Sequence, residues 1–179
     1  MKKNRKMHFF MIYLLVIAIF TTYSLLDTFV LPRVYRTVID DEDSKLEPGE
    51  VTLEENYYAD DNLEITITKE VYEGSNVYVC DLRINDLSLF KTAFAKNTYG
   101  KNIVQTVTEQ AKEHEAIIAI NGDYYGARES GYVIRKGIIY RDIKNNYQND
   151  LVINKDGTWK FITEKEVSAQ ALITQGAWE

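Results

Sequence analysis

The densest group of side chains able to do chemistry is Asn121-Gly122-Asp123-Tyr124-Tyr125-Gly126. Asp123 supplies a carboxylate that can serve as base, nucleophile or cation ligand. The two tyrosines offer flat rings and hydroxyls suited to sugars. Two glycines let backbone bend sharply and approach a ligand closely. Arg128 and Arg135 come soon after, and a guanidinium grips a phosphate through two parallel hydrogen bonds. The competing reading is an Asn-Gly turn with tyrosines packed at its shoulder.

Such a segment needs rigid neighbours. Ala116-Ile117-Ile118-Ala119-Ile120 immediately precedes it, and a short unbroken apolar run predicts a strand buried on both faces. Asn102 to Glu115 reads as a helix, with Val104, Val107 and Ala111 at helical spacing. A helix leading into a buried strand places Asn121 at the strand's end, where polar groups converge on a pocket. Leu63, Ile65 and Ile67 alternate with polar residues, the period of a half-buried strand. Gly74-Ser75-Asn76 marks a turn, and Val77 to Ile84 makes a second strand. Two hairpins are expected later. Tyr132–Ile134 and Ile138–Tyr140 flank Arg135-Lys136-Gly137. Leu151–Ile153 and Trp159–Ile162 flank a loop holding Asp156-Gly157, a strong turn signal. Thr163 and Glu166 have capping-box spacing. They predict a final helix running to about Gln175, stopped by Gly176. The fold class expected is α+β, a mixed sheet with helices packed against it.

The front of the chain is different. Lys2, Lys3, Arg5 and Lys6 sit in residues 1–8 without an acid. The 18 residues from Phe9 to Leu26 carry no charge; as a helix they span about 27 Å, close to the hydrocarbon thickness of a bilayer. Asp27 interrupts before Thr28–Leu31. Residues 9–31 are therefore expected to form a transmembrane helix. The basic tail holds the N-terminus in the cytoplasm and the remainder lies outside. A cleaved signal peptide is the competitor, although Thr21-Thr22-Tyr23-Ser24 makes a poor cleavage site. Residues 32–61 read as an acidic stalk, with Asp40-Asp41-Glu42-Asp43 and Glu54-Glu55. Residues 62–179 form the folded portion.

The chain has 179 residues and a net charge of −6, and its acids lie almost wholly beyond the anchor. That field disfavours nucleic-acid backbones as partners. Cys80 is the single cysteine, so no intrachain disulfide forms, and its alternation with Tyr78, Leu82 and Ile84 predicts a buried site. His114 reads as a solvated or capping residue. No cofactor is implied with certainty. Asp123 is a candidate divalent-cation ligand, although one carboxylate does not make a site.

Ala119-Ile120-Asn121-Gly122-Asp123-Tyr124-Tyr125, together with Gly131-Tyr132-Val133-Ile134-Arg135-Lys136-Gly137, resembles the phosphodiester glycosidase family. This is the family of N-acetylglucosamine-1-phosphodiester alpha-N-acetylglucosaminidase, with bacterial exopolysaccharide-related members. Asp150–Ile153 and the Asp156-Gly157 hairpin also fit. The family's Phe-Gly-Pro, Asn-Pro-Arg-Thr and late Asp-Gly-Gly-Gly-Ser segments have no counterpart here. The resemblance is thus to the N-terminal part of the domain, and the chain reads as C-terminally truncated. The resemblance implies hydrolysis of a sugar-1-phosphodiester, with Asp123 catalytic. It implies that Asn121 and Gly122 orient substrate, that Tyr124 and Tyr125 line the sugar site, and that Arg128 or Arg135 touches phosphate. Two further readings stand beside it: a non-catalytic glycan-binding or envelope-interaction module, and a fragment unstable alone.

Overall fold

The computed structural model describes residues 2–38 and 48–179, with side chains from residue 5 onward. The acidic run Asp40–Asp43 lies outside the described residues. The chain divides into two compact units, Met1–Ile39 with Ala93–Glu129, and Asp40–Thr92 with Ser130–Glu179.

The first unit opens with helix α1, Lys2–Phe29. Its stretch Arg5–Phe29 is long and apolar enough to cross a membrane or to serve as a signal sequence, and none of it is buried against protein. The helix end is tied to the strand after it. Arg33 Nε donates to Asp27 Oδ1 at 3.2 Å, and a second bond joins Arg33 Nη2 to Asp27 Oδ2. The hydrogen bond to Asp27 pushes the Arg33 pKa above its usual value. Strand β1, Arg33–Thr37, then pairs antiparallel with Thr98–Lys101, a strand designated β6 by its place in the chain. Gly100 faces Val34 in this ladder, and a Cβ there would overlap the Arg33 carbonyl and the Ile103 side chain. Asn102 Nδ2 closes the end of α1 by donating to the carbonyls of Thr28 and Leu31 at 3.2 and 3.0 Å.

Helix α2 spans only Val107–Glu113, shorter than the expected Asn102–Glu115. Thr106 forms the start of a capping box with Glu109, which fixes the first turn five residues late. At the other end Glu115 takes a left-handed conformation (φ 50). The Ala116 amide donates to the Ala111 carbonyl at 2.8 Å and Glu115 N to Lys112 O at 3.4 Å, the bond pattern of a Schellman stop.

The expected buried strand Ala116–Ile120 does not form. The segment bends at Ile117 and Ile118 and pairs with no strand, and Ile117, Ile118 and Ile120 are 54, 39 and 87% exposed. A strand buried on both faces needs a neighbour on each side. The sheets here are antiparallel pairs and one four-stranded sheet, built mostly from strands adjacent in sequence. Among the described residues, none offers an interior position to this run.

The second unit holds a four-stranded antiparallel sheet in the order β2-β3-β4-β5. Its strands are β2 (Thr52–Glu54), β3 (Tyr57–Ala59), β4 (Leu63–Tyr72) and β5 (Ser75–Ile84). Residues 33–37, 52–54 and 57–59 thus pair as strands inside the stretch expected as a spacer. The expected period-2 burial is present at the start of β4, where Leu63 and Ile65 are buried. β5 is exposed along nearly its whole length, and Cys80 with it, against the expectation of a buried thiol. The reason is that side chains on both faces of β5 are exposed, so among the described residues nothing covers this part of the sheet on either face.

Both later hairpins form as expected. β7 (Gly131–Arg135) pairs with β8 (Ile138–Ile143), and β9 (Asn149–Ile153) with β10 (Trp159–Thr163). Helix α3, Ala169–Thr174, packs on them, and Ile134, Val152, Ala169, Leu172 and Ala177 make the core. The helix starts at Ser168, whose hydroxyl accepts from the Ala171 amide at 3.2 Å. The predicted cap at Thr163 fails because that residue ends β10, where its hydroxyl donates to Asn149 Oδ1 at 2.9 Å. Gly176, at φ +100, stops the helix as expected. Glu164 is fully buried, and its carboxylate accepts from the amides of Tyr132, at 2.7 Å, and Asn145. The expected α+β class is realised as several small antiparallel sheets with few helices and one long apolar N-terminal helix.

Candidate functional site

Asn121 to Tyr124 run without regular structure, and Tyr125–Ala127 form one turn of 3-10 helix. The turn is closed by Ala127 N to Tyr124 O at 3.4 Å and Arg128 N to Tyr125 O at 3.2 Å. Six of the seven expected site residues therefore lie on one short segment of the first unit. Arg135 lies on β7 of the second.

The two tyrosines divide in role. Tyr125 is half-buried, with its ring 5.2 Å from Phe94 in an edge-on arrangement and stacked on Tyr99 at 5.7 Å. Phe94 and Tyr99 are themselves buried and 5.5 Å apart. Contacts of this kind fix a ring by area burial and quadrupole complementarity. Tyr124 is 79% exposed and turns outward. One tyrosine thus anchors the segment and the other is presented to solvent.

The anchoring rings Phe94 and Tyr99 were absent from the residues singled out by sequence. Phe94 falls in a stretch of ambiguous pattern, Leu87 to Ala95. Phe94 and Tyr99 meet the Tyr125 ring through the fold and are not its neighbours in sequence, so no local signal marks them.

Neither glycine of the motif needs its conformational freedom, since neither has a positive φ. Their environments differ. A Cβ at Gly126 would meet the Gly100 carbonyl at 3.3 Å, so this glycine permits close backbone approach. A Cβ at Gly122 would meet nothing within 4 Å. Asn121, Gly122 and Asp123 are all exposed, as is Arg128. Lys101 and Glu129 pair nearby at 3.2 Å. A ligand approaching this segment would meet an amide, a carboxylate, a phenol ring and a guanidinium on about eight consecutive residues.

Arg135 makes protein contacts in the second unit. Its Nη1 donates to the Ile134 carbonyl at 2.7 Å, and its Nε lies 3.7 Å from Glu179 Oε2. Glu179 also accepts from Thr92 Oγ1 at 2.8 Å and from the Lys136 amide at 3.1 Å. Burial pushes the Glu179 carboxyl pKa up, against these hydrogen bonds and the Arg135 charge.

Among the described residues, no three His, Cys, Asp or Glu side chains gather as a metal site. Asp123 remains a single carboxylate. No family model, curated protein or solved structure matches the chain.

Proposed function

We propose that this chain is a membrane-tethered, extracytoplasmic phosphodiester glycosidase-like protein. Its substrates are sugar-1-phosphodiesters of cell-surface or exopolysaccharide glycans, and it engages them through Asn121–Arg128. The observation that carries this reading is the division between the tyrosines. Tyr125 is locked against Phe94 and Tyr99, and Tyr124 stands outward beside Asp123 in the chain. An outward ring flanked by a carboxylate, an amide and Arg128 has the chemistry to meet a sugar face and its phosphate.

In the proposed reaction water adds to the anomeric carbon, the bond from that carbon to the phosphate oxygen breaks, and the phosphate departs. The leaving group is already weakly basic, so a strong general acid matters less than stabilising the oxocarbenium-like centre. Asp123 takes the water proton or attacks the carbon itself. Arg128 neutralises the departing phosphate.

The tether is α1, held in the membrane with Lys2, Lys3, Arg5 and Lys6 on the cytoplasmic side. The Asp27–Arg33 pair at its far end suits the headgroup layer.

A second reading is favoured by one observation. Asp123 lies in an exposed segment, and a solvated carboxylate lacks the water exclusion that strengthens electrostatic catalysis. In that reading the segment binds glycans without turning them over.

The test is release of free sugar from a UDP-sugar or a synthetic sugar-phosphate ester by the full chain. Release by the wild type and none by Asp123→Asn supports the enzyme. Saturable binding without release supports the second reading. Neither binding nor release contradicts both.

A further inference from the structure

The open edge of the four-stranded sheet carries a pattern of its own. β5 reads Ser75-Asn76-Val77-Tyr78-Val79-Cys80-Asp81-Leu82-Arg83-Ile84 and pairs residue by residue with β4, without a bulge. Long, regular, apolar edge strands are normally blunted by Pro, bulges or lysines, because their free amides and carbonyls template pairing with another chain. β5 carries none of these devices. Tyr78 is 66% exposed, Val79 46% and Leu82 38%.

The phase of its free groups is set by β4. Ile67 N donates to Asn56 O and Asp60 N to Leu63 O, so the odd-numbered residues of β4 bond toward β3. Its even-numbered residues then bond toward β5, where they face Ser75, Val77, Val79, Asp81 and Arg83. The amides and carbonyls of Asn76, Tyr78, Cys80, Leu82 and Ile84 therefore point away from the sheet.

Only some registers suit a second copy of the same strand. An antiparallel two-fold centred on Cys80 brings the two Asp81 carboxylates into diagonal proximity, across a ladder with no facing cation. A two-fold centred on Leu82 joins Leu82 to Leu82, and Cys80 to Ile84, through their outward backbone groups. It sets Asp81 opposite Arg83 twice, as non-hydrogen-bonded pairs, where facing side chains come closest. The contact is isologous, as a closed dimer requires. Arg83 keeps its own Glu64 at 3.3 Å with its side chain 73% exposed, which leaves the guanidinium accessible to a second carboxylate.

We propose that β5 is a self-association edge, on which a second copy of this chain docks antiparallel about Leu82, with reciprocal Asp81–Arg83 pairs fixing the register. The overlap is short. Confinement of both copies to one membrane by α1 supplies effective concentration that so small a contact needs. Self-association of this kind does not depend on the sugar-phosphate reading.

The test uses the full chain reconstituted in lipid vesicles, with cysteine oxidation as the readout. In a Cys80→Ser background, Leu82→Cys is expected to cross-link, whereas Val79→Cys is not. Native Cys80 is also expected to stay uncross-linked, because the two thiols lie four residues out of register, roughly 13 Å apart along the strand. Asp81→Arg or Arg83→Asp alone places like charges across the edge and should lower Leu82→Cys cross-linking about tenfold. The double reversal, with circular dichroism showing an unchanged fold, should restore it. Cross-linking through native Cys80, single reversals without effect, or a monomer with no cross-link at residue 82 would each overturn the proposal. A monomer of that kind would leave the edge to some other chain.

Discussion

The Arg135 guanidinium lies 3.7 Å from the Glu179 carboxylate, whose side chain is only 4% exposed. Removing Arg135 leaves a buried acid with Thr92 and one amide, and Arg135→Ala should cost about 1–3 kcal/mol. Pairing it with Glu179→Gln should recover part of that loss, as double-mutant cycles do for contacting groups. Thermal unfolding of the four chains measures it.

The same carboxyl carries a pH signature. Its folded pKa is raised by burial, so the native state holds the Glu179 proton more tightly than the unfolded chain. The resulting contribution is fully present below the usual carboxylate range and is lost as pH rises through the raised folded value. Melting temperature measured from acid to neutral pH should therefore fall less in Glu179→Gln than in the wild type.

Tyr58 and Asp60 give the opposite arms. The Tyr58 hydroxyl donates to Asp60 Oδ2 at 2.6 Å, which pushes the phenol pKa up to about 12 and holds the carboxyl below its usual range. Asp60 contributes stability above its usual range, lost as pH falls through its depressed value. Tyr58 contributes below its ordinary value of 10.0, lost as pH rises toward about 12. Tyr58→Phe should remove the alkaline arm and weaken the acid arm. Asp60 keeps part of the latter through its bonds from the Asn62 and Leu63 amides, at 2.7 and 2.8 Å.

Glu73 and Gly74 form the two-residue turn between β4 and β5, at φ 48 and 78. A left-handed glutamate is strained, whereas Asn-Gly suits this turn. Glu73→Asn should stabilise the hairpin by about 0.5–1 kcal/mol, read as slower amide exchange along β4.

The tyrosines should separate stability from binding. Tyr125→Ala removes a ring packed on Phe94 and Tyr99 and should destabilise the first unit by about 2–4 kcal/mol. Tyr124→Ala should leave stability within about 0.5 kcal/mol while weakening sugar-phosphate binding. Melting curves beside calorimetric titration with a sugar phosphate distinguish the two effects.

Local signals were the legible ones. The long apolar N-terminal helix, the Asp156-Gly157 hairpin and the Gly176 stop each depend on a few neighbouring residues and each is present, although the helix runs Lys2–Phe29 where 9–31 was expected and Arg135 belongs to β7 and not to the turn after it. Features that depend on distant partners were not. Ile117–Ile120 has the composition of an interior strand, but composition cannot supply the two neighbouring strands such a position requires. Cys80 alternates like a buried residue, yet is exposed because among the described residues nothing packs on either face of β5 there. At the candidate site the sequence named Asn121–Tyr125 without distinguishing the tyrosines. Only the folding of Phe94 and Tyr99 onto one of them does so.

In the proposed reaction the Asp123 carboxylate acts upon a sugar phosphate. The most direct measurement is a phosphorus NMR time course of a synthetic sugar-1-phosphodiester with membrane-reconstituted wild type and Asp123→Asn. We expect the phosphomonoester signal to grow with the wild type and to stay absent with the variant, while Tyr124 still contributes to binding. Equal turnover by both chains, or an unchanged diester with the wild type, would contradict it.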